Sequence, residues 1–362
     1  MSTKPHSSRI PSIDALRGFD MLWILGLESG VRALLSRIAP DFPPAQFVSN
    51  QLTHAAWDGL HFYDLIFPLF IFISGTSLAI SLENRSSTTT KANLASQLLL
   101  RGTILFLLGV IFNGGLRDGL DKVRWLGVLQ RIALATTLTG LLSLVLKPKT
   151  LATVGAGILV GYSLILLVTP HPDLGTTSFE EGKNIVNWFD QHFLPGRKHN
   201  GNHDPEGLLS TFPAIVSAIA GYLAGLHIMK TNNRRHVRSF LVIGSVSLVA
   251  GLALHPFVPI IKKLWTPSFV LATTGLSLLL LSAFSAWLDG RQQPRWTAPF
   301  HWVGSNPITL YLLAGLGLFK TVAERLTGNT HQPLGWMIPI TSLLLVLALA
   351  KWLHSKQIRI RV

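Results

Sequence analysis

The sequence contains no cysteine among its 362 residues. This excludes thiol nucleophiles, cysteine-ligated metals and disulfide bonds. Charged residues are also scarce, at 13% of the chain, whereas an ordinary soluble domain has roughly 25%. Hydrophobic residues make up 48%, and the mean hydropathy is +0.42. The composition therefore predicts a protein that lies in a lipid bilayer.

Acidic residues are few, at 17 against 31 lysines and arginines, so the formal net charge is +14. The basic residues are scattered over short loops and do not form one cluster. This pattern favours anchoring on the cytoplasmic side and attraction to anionic lipid over nucleic-acid binding. We expect the bilayer, and no nucleic acid, as a partner.

Long apolar windows dominate the chain, and about 20 such residues cross the hydrocarbon core. Lipid tolerates only helices or closed barrels, and these windows lack the alternation of barrel strands. The sequence predicts an all-α, polytopic transmembrane helix bundle of about ten spans, forming one domain over residues 1–362. The predicted spans are 15–35, 62–82, 94–112, 126–146, 151–169, 208–229, 239–255, 266–288, 300–319 and 334–352.

The distribution of basic residues predicts the orientation. The N-terminal stretch lacks an apolar core followed by small residues before the first span, so no cleaved signal peptide is expected. The cluster KTNNRRHVR at 230–238 and the basic C-terminal tail place both termini in the cytoplasm. The segments about 36–61 and 170–207 then lie on the outer side.

The segment LTHAAWDGLHFYDLIFPLFIFISG at 52–75 brings titratable groups to the mouth of an apolar helix. Asp58 follows His54 by four residues and would share a helical face with it. Asp64 would orient the His54 imidazole if the loop folds back. A histidine held by a carboxylate is suited to act as a general base, and Glu28 at the outer end of the first helix is another candidate for this cluster. The alternative is a hydrogen-bonded structural histidine.

Charged or polar side chains also occur inside the predicted spans, where they are costly. Asp14 and Arg17 are one helical turn apart, Arg101 lies in the third span, and Arg131 follows Gln130 in the fourth. One interpretation is internal pairing that fixes helix packing. The other is an anion-binding inner mouth for a phosphorylated cofactor.

The second outer segment contains RKHNGNHDPEG. His199 and His203 have metal-ligand spacing, but the surrounding glycine, asparagine and proline argue against a helix, so no metal is predicted. Asp204 and Glu206 are interpreted either as acceptors for a polar substrate or as loop and helix-cap residues.

Several motifs appear in the same order as in one known family of membrane enzymes. The chain resembles the heparan-α-glucosaminide N-acetyltransferase family and looks like a bacterial member. The motifs are SIDALRGFD at 12–20, HAAWDGLHFYDLIFPLFIFISG at 54–75, RWLGVLQRIAL at 124–134, DPEGLLSTFPAI at 204–215, KKLWTPSFVL at 262–271 and WVGSNPITLYL at 302–312.

The resemblance implies transfer of an acetyl group from cytoplasmic acetyl-CoA, as co-substrate, to an amino sugar or related glycan on the outer side of a bacterial inner membrane. The family's active-site histidine falls on His54, and the aspartate of its D-L-[IV]-F-P block falls on Asp64. Glu28 aligns with an asparagine of that family. Acetyl transfer from a thioester requires chiefly positioning, a base and stabilisation of an oxyanion.

The remaining assignments complete this hypothesis. Asp58, Asp204, Glu206 and Asn306 would bind the acceptor. Trp57 and Trp265 would stack on its sugar ring, unless they are interfacial anchors. The donor would be bound by Asp14, Arg17, Arg101, Gln130 and Arg131.

Three other mechanisms or functions stay open at this stage. An acetyl-His54 intermediate would replace direct transfer. A carrier or flippase for a glycan precursor or anion would also need charges inside helices. A polysaccharide O-acyltransferase would share the donor. A second copy of the chain is a further candidate partner.

Overall fold

The computed structural model describes residues 10–115, 119–289, 294–328 and 333–360. These residues form helices and, apart from three isolated bridges, no strand pairing. The α-helices are α1 (Pro11–Leu22), α2 (Glu28–Ile38), α3 (Pro43–Gln51), α4 (Ile66–Ser86), α5 (Lys91–Phe112), α6 (Val128–Val145), α7 (Pro148–Val168), α8 (Ile185–Phe193), α9 (Leu208–Lys230), α10 (Asn233–Leu254), α11 (Pro267–Leu288), α12 (Ala298–Gly304), α13 (Pro307–Gly315), α14 (Leu318–Thr327) and α15 (Ile338–Ser355).

Eight helices within the described residues are long and apolar enough to cross a membrane. They match eight of the ten predicted windows, and the all-α, polytopic fold is confirmed. The eight are α4, α5, α6, α7, α9, α10, α11 and α15.

The first predicted window differs from the expectation of one apolar helix. A π-helical segment, Trp23–Leu27, separates α1 from α2, and Gly26 within it has a φ of 111°. Glycine adopts this conformation without the steric cost of a side chain. A π segment inside an α-helix redirects the side chains around it and is frequent at functional sites.

The ninth predicted window, 300–319, is also broken. It contains α12, α13 and the start of α14, and α13 meets α14 at a bend of 58°. Pro307 begins α13, and Gly317 has a φ of 76° just before α14. In the described part of the chain there are thus eight candidate spans, or nine if the bent pair counts as one, against the ten expected.

The chain divides into two compact units. The terminal unit comprises Met1–Ala55, His61–Ile66 and Ala283–Val362, and the central unit comprises Ala56–Leu60 and Phe67–Ser282. The description of the chain as one domain stays a prediction.

Close backbone packing joins the helices of the terminal unit. A Cβ on Gly18 of α1 would overlap the backbone of Phe300 on α12, and a Cβ on Gly304 would lie 2.7 Å from the carbonyl oxygen of Asp14. Small residues allow the helix backbones to approach this closely. The resulting van der Waals packing holds helices together in lipid, where the hydrophobic driving force between them is absent. This packing fixes α1, which carries two of the predicted site residues, Asp14 and Arg17.

The central unit is organised around α9, which packs against α6 and α7. A Cβ on Gly221 of α9 would overlap the backbone of Phe72 on α4, so these two helices are also in backbone contact. Most of α9 is buried. Its N-terminal end therefore provides a rigid support for the polar loop that precedes it.

Candidate active site

A buried carboxylate holds the exposed imidazole of His54. Nδ1 of His54 lies 2.8 Å from Oδ1 of Asp64. The Asp64 side chain is 1% exposed, whereas that of His54 is 52% exposed. The predicted pairing of these two residues through a folded loop is present in the structure.

Local backbone bonds explain why Asp64 is fixed. It lies in a 3-10 helix, Phe62–Leu65, and its Oδ2 accepts from the backbone N–H of His61 at 3.1 Å and of Ala55 at 3.0 Å. The Phe62 N–H donates to the side chain of Gln51 at 3.0 Å. The two ends of the loop are thus joined, and the carboxylate is positioned before any substrate binds.

This geometry assigns different roles to the two nitrogens of His54. When Nδ1–H donates to Asp64, Nε2 carries the lone pair and is the nitrogen suited to accept a proton. The carboxylate also stabilises the imidazolium that then forms. The ring stacks on Tyr63, with centroids 4.7 Å apart. The pair has the features of a general base and its orienting group.

Glu28, the third predicted catalytic residue, belongs to the same unit. It begins α2 directly after the π segment. Its Oε1 accepts from the hydroxyl of Ser29, and its buried Oε2 has no hydrogen-bond partner among the described residues. Glu28 interacts electrostatically with Tyr63, whose ring contacts His54.

A second polar cluster lies in the central unit, before α9. Arg124 donates from Nε and Nη2 to the two oxygens of Asp204, each at 2.8 Å, and from Nη2 to Glu206 at 2.6 Å. Asp204 also accepts from the backbone N–H of His199 at 2.9 Å. The two acidic residues thus have a partner in the chain itself, as in the loop interpretation, and their role toward an acceptor stays a prediction.

Burial and ion pairing shift the pKa values of this cluster in opposite directions. Burial would raise the pKa of Asp204, but its bonds to Arg124 outweigh it and the pKa is lowered. Burial raises the pKa of Glu206, against the attraction of Arg131 and Arg124. Burial would lower the pKa of Arg124, yet the same carboxylates raise it. Asp204 and Arg124 therefore carry the stable ion pair, and Glu206 completes it.

Asp190 is a central residue of this cluster that the sequence did not indicate. It is fully buried on α8, and its carboxylate accepts from the N–H of Leu208 at 2.9 Å and of Asp204 at 3.3 Å. Leu208 is the first residue of α9, so Asp190 caps that helix from another element. Burial raises the pKa of Asp190 to about 6, although these N–H groups oppose the shift.

Arg131 is buried beside the same helix end. Its guanidinium lies 4.9 Å from the ring centroid of Trp265 and donates to Ser210 and, at 3.4 Å, to the carbonyl of Gly207. These contacts are of the kind expected if the charged residues inside the spans fix helix packing. A role of Arg131 in binding the donor stays a prediction.

Trp265 does not present a free face for a sugar. It is 1% exposed, and Phe67 and Phe269 pack against it edge-on. Gln130 is likewise fully buried, whereas Arg101 is exposed on α5. Their roles in binding acceptor or donor remain predictions.

The Trp57–Asp58 segment joins the 170–207 segment within the central unit. Trp57 Nε1 donates to the carbonyl of Phe179 at 2.7 Å, and Lys263 Nζ lies 5.3 Å from its ring centroid. Asp58 forms an isolated antiparallel bridge with Ile261. Residues 54–60 contain no helix. The expectation that His54 and Asp58 share a helical face is therefore wrong, because the segment pairs with another loop.

The remaining predicted residues lie in the terminal unit. Arg17 Nη1 is 3.4 Å from Asp14 Oδ1, and both side chains are partly exposed. The Asn306 side chain donates to the carbonyl of Ile358 at 2.9 Å and accepts from the N–H of Ile360 at 2.8 Å. Asn306 thus ties down the C-terminal segment, and its binding to an acceptor stays a prediction.

Metal binding has no evident site in the described residues. No group of three or more histidine, aspartate or glutamate side chains is arranged to hold an ion there. His203 instead lies within hydrogen-bonding distance of Asn200 and Asn202. This finding leaves the prediction of no metal untested.

Comparison with known proteins identifies the family. The family model described as "Heparan-alpha-glucosaminide N-acetyltransferase, catalytic" matches residues 9–250. Heparan-alpha-glucosaminide N-acetyltransferase of Homo sapiens is 27% identical over 318 residues, covering 72% of this chain and 48% of that protein. The protein of the same name from Mus musculus is 28% identical over 320 residues, with the same coverage. The chain spans about half the length of these relatives.

The fold and the oriented histidine define an integral membrane protein with a site suited to proton transfer. The family match covers more than half of the chain, including His54 and Asp64. The chain belongs to the heparan-alpha-glucosaminide N-acetyltransferase family.

Proposed function

We propose that the protein transfers an acetyl group from acetyl-CoA to the amino group of a sugar or related glycan. Two observations support this: membership of the family and the His54–Asp64 pair. The proposed donor side is the cytoplasm of a bacterial cell, and the proposed acceptor side is the outer face of the inner membrane. The pair carries the proposal because it supplies an oriented base beside a membrane helix.

The proposed reaction is direct. The acceptor nitrogen attacks the thioester carbonyl carbon, a C–N bond forms and the C–S bond breaks. His54 Nε2 takes a proton from the attacking nitrogen and returns it to the departing thiolate of CoA. Asp64 holds the tautomer and balances the charge of the imidazolium.

Arg17 is the donor-binding residue best supported by its surroundings. Its side chain is 22% exposed in the middle of α1, and the bond to Asp14 orients it. An arginine in such a position is suited to a phosphate of the donor. Arg131, by contrast, already packs on Trp265.

The test is acetyl transfer by the purified protein in detergent, with labelled acetyl-CoA and glucosamine. His54→Ala should lower the rate by roughly 10²–10⁴, as expected for loss of a general base. Asp64→Asn should also lower it, because the amide no longer holds the Nδ1–H tautomer. His192→Ala is the matched control, since His192 is exposed on α8 outside the pair.

Other outcomes would select the alternatives. Activity of His54→Ala within a factor of a few of the wild type would refute His54 as the base. A labelled acetyl group on His54 in rapidly quenched protein would show a covalent intermediate. Acylation of hydroxyl groups alone would indicate an O-acyltransferase, and movement of a glycan precursor without acylation would indicate a carrier.

A further inference from the structure

Asp20 on α1 is an acid whose position calls for a ligand or a proton. Its side chain is fully buried in the terminal unit. Neither carboxylate oxygen has a hydrogen-bond partner among the described residues. A buried carboxylate without a partner is strongly destabilising unless it meets a cation or takes up a proton.

The segment that follows Asp20 holds two more buried polar atoms of this kind. Trp23 Nε1 and Glu28 Oε2 have no hydrogen-bond partner within the described part of the chain. Trp23 begins the π-helical segment and Glu28 directly follows it, and Gly26 between them breaks the regular helix. Packing of a helix does not account for three such groups around one irregular turn, whereas binding of a polar ligand does.

Tyr63 connects these groups to the proposed base. Its ring stacks on His54, and Glu28, then Asp20, then Tyr311 are the ionisable groups that interact with it electrostatically. Trp23 packs edge-on against Phe62, with ring centroids 4.9 Å apart. The two carboxylates therefore lie near Tyr63, whose ring contacts the base, within one unit.

An ionised Asp20 at this buried position calls for a cation. The other ionisable side chains on α1 and on the elements packed against α1 or the π segment, together with Asp289 bonded to Ser12 and Tyr63 near Glu28, are Asp14, Arg17, Glu28, Arg32, Arg37, Tyr63, Asp289, His301, Tyr311, Lys351 and His354. Arg17 is bonded to Asp14, and Glu28 adds a second carboxylate near Tyr63.

The chemistry of the acceptor supplies such a cation. An amine that arrives as an ammonium must lose two protons: one before it can attack, and one after the C–N bond has formed. His54 accounts for one of them and passes it to the CoA thiolate. The other proton needs a second proton-accepting group in the protein.

We propose that Asp20 and Glu28 bind the ammonium group of the acceptor and that Asp20 takes its first proton. This inference rests on the proposed acetyltransferase function and assigns the two residues that meet the protonated amine of its acceptor. The ammonium gives one proton to the Asp20 carboxylate, the free amine attacks the thioester, and His54 takes the second proton. The products are the amide, CoA thiol and a protonated Asp20.

The experiment compares two acceptors at neutral pH: glucosamine, and an alkoxyamine sugar whose nitrogen is unprotonated there. Asp20→Asn should lower kcat/KM for glucosamine by roughly 10²-fold, the lower range for loss of a general base. It should change the alkoxyamine reaction by less than about threefold, because that nitrogen has no first proton to lose. Asp41→Asn, which removes an exposed carboxylate of the same unit, is the control.

A measurement on the wild type keeps the proposal testable if Asp20→Asn does not fold. The KM for glucosamine should stay level below the pKa of its amine, because the ammonium is the form that binds. A KM that rises tenfold for each unit by which the pH falls below that pKa overturns the proposal. So does an equal loss of kcat/KM for both acceptors in Asp20→Asn, or no loss for either. Failure of the wild type to acetylate either acceptor overturns the proposed function itself, and this inference with it.

Discussion

Gly207 and Asp190 are in such close contact that no side chain fits between them. A Cβ on Gly207 would overlap the carboxylate of Asp190, which caps α9. Gly207→Ala should therefore displace Asp190 and lower stability by roughly 1–3 kcal/mol, the usual cost of overpacking. The measurement is the thermal midpoint in detergent. Gly157→Ala is the matched control, because nothing lies within 4 Å of its Cβ position on α7. Equal midpoints for the two variants would contradict the role of this contact.

The pKa of Asp190 predicts how stability depends on pH. Its value of about 6 in the folded state lies above the ordinary 3.8. The folded protein then binds more protons than the unfolded chain between these values, so stability falls as pH rises from about 4 to about 6. The whole effect is on the order of 3 kcal/mol.

Asp190→Asn should remove most of this dependence when the thermal midpoint is measured across that range. Asp121→Asn, at an exposed position in the same unit, should retain it. The lowered pKa of Asp204 acts with the opposite sign and at lower pH, where protonation breaks its pair with Arg124. A wild-type curve that rises between pH 4 and 6 would contradict the prediction for Asp190.

Arg17→Ala should raise the KM for acetyl-CoA more than it lowers kcat at saturating donor, which is the behaviour of lost uniform binding. Arg37→Ala removes the same charge at an exposed position of α2 and should leave the KM unchanged. An unchanged donor KM with a lowered thermal midpoint for Arg17→Ala would make the Asp14–Arg17 pair structural.

The sidedness of the loops can be tested by cysteine labelling, because the native chain has no cysteine. One candidate span, α9, separates Asn202 from Asn232, and four separate Ser49 from Asn202. Cysteines at Ser49 and Asn202 should therefore react with an impermeant thiol reagent in intact cells, and one at Asn232 should not. Labelling of position 232 alone would reverse the predicted orientation.

Hydropathy predicted the eight long helices, because apolar length is a property of each segment by itself. The His54–Asp64 contact was also predictable, since ten residues separate the partners and one loop joins them. The break at Gly26 was not, because a glycine in an apolar run does not show whether the helix continues.

Contacts between distant segments could not be predicted from the sequence, for a different reason. The acidic pair at Asp204 and Glu206 indicates that a cation is needed, but nothing in the pattern selects Arg124, 80 residues away. The sequence pattern indicated Asp190 even less, because it is a single acidic residue in a short amphipathic helix. Its role follows from the packing of α8 against α9, which no local pattern encodes.

The hydrogen bonds of Asn306 also set an order of events during synthesis. Its partners, Ile358 and Ile360, follow it by 52 and 54 residues, so both bonds form late relative to the helices that precede Asn306. The preceding helices can fold while translation continues, but these two bonds form only once residues 358–360 have been synthesised. A truncation before Ile358 would therefore leave the Asn306 side chain without both partners and loosen the terminal unit.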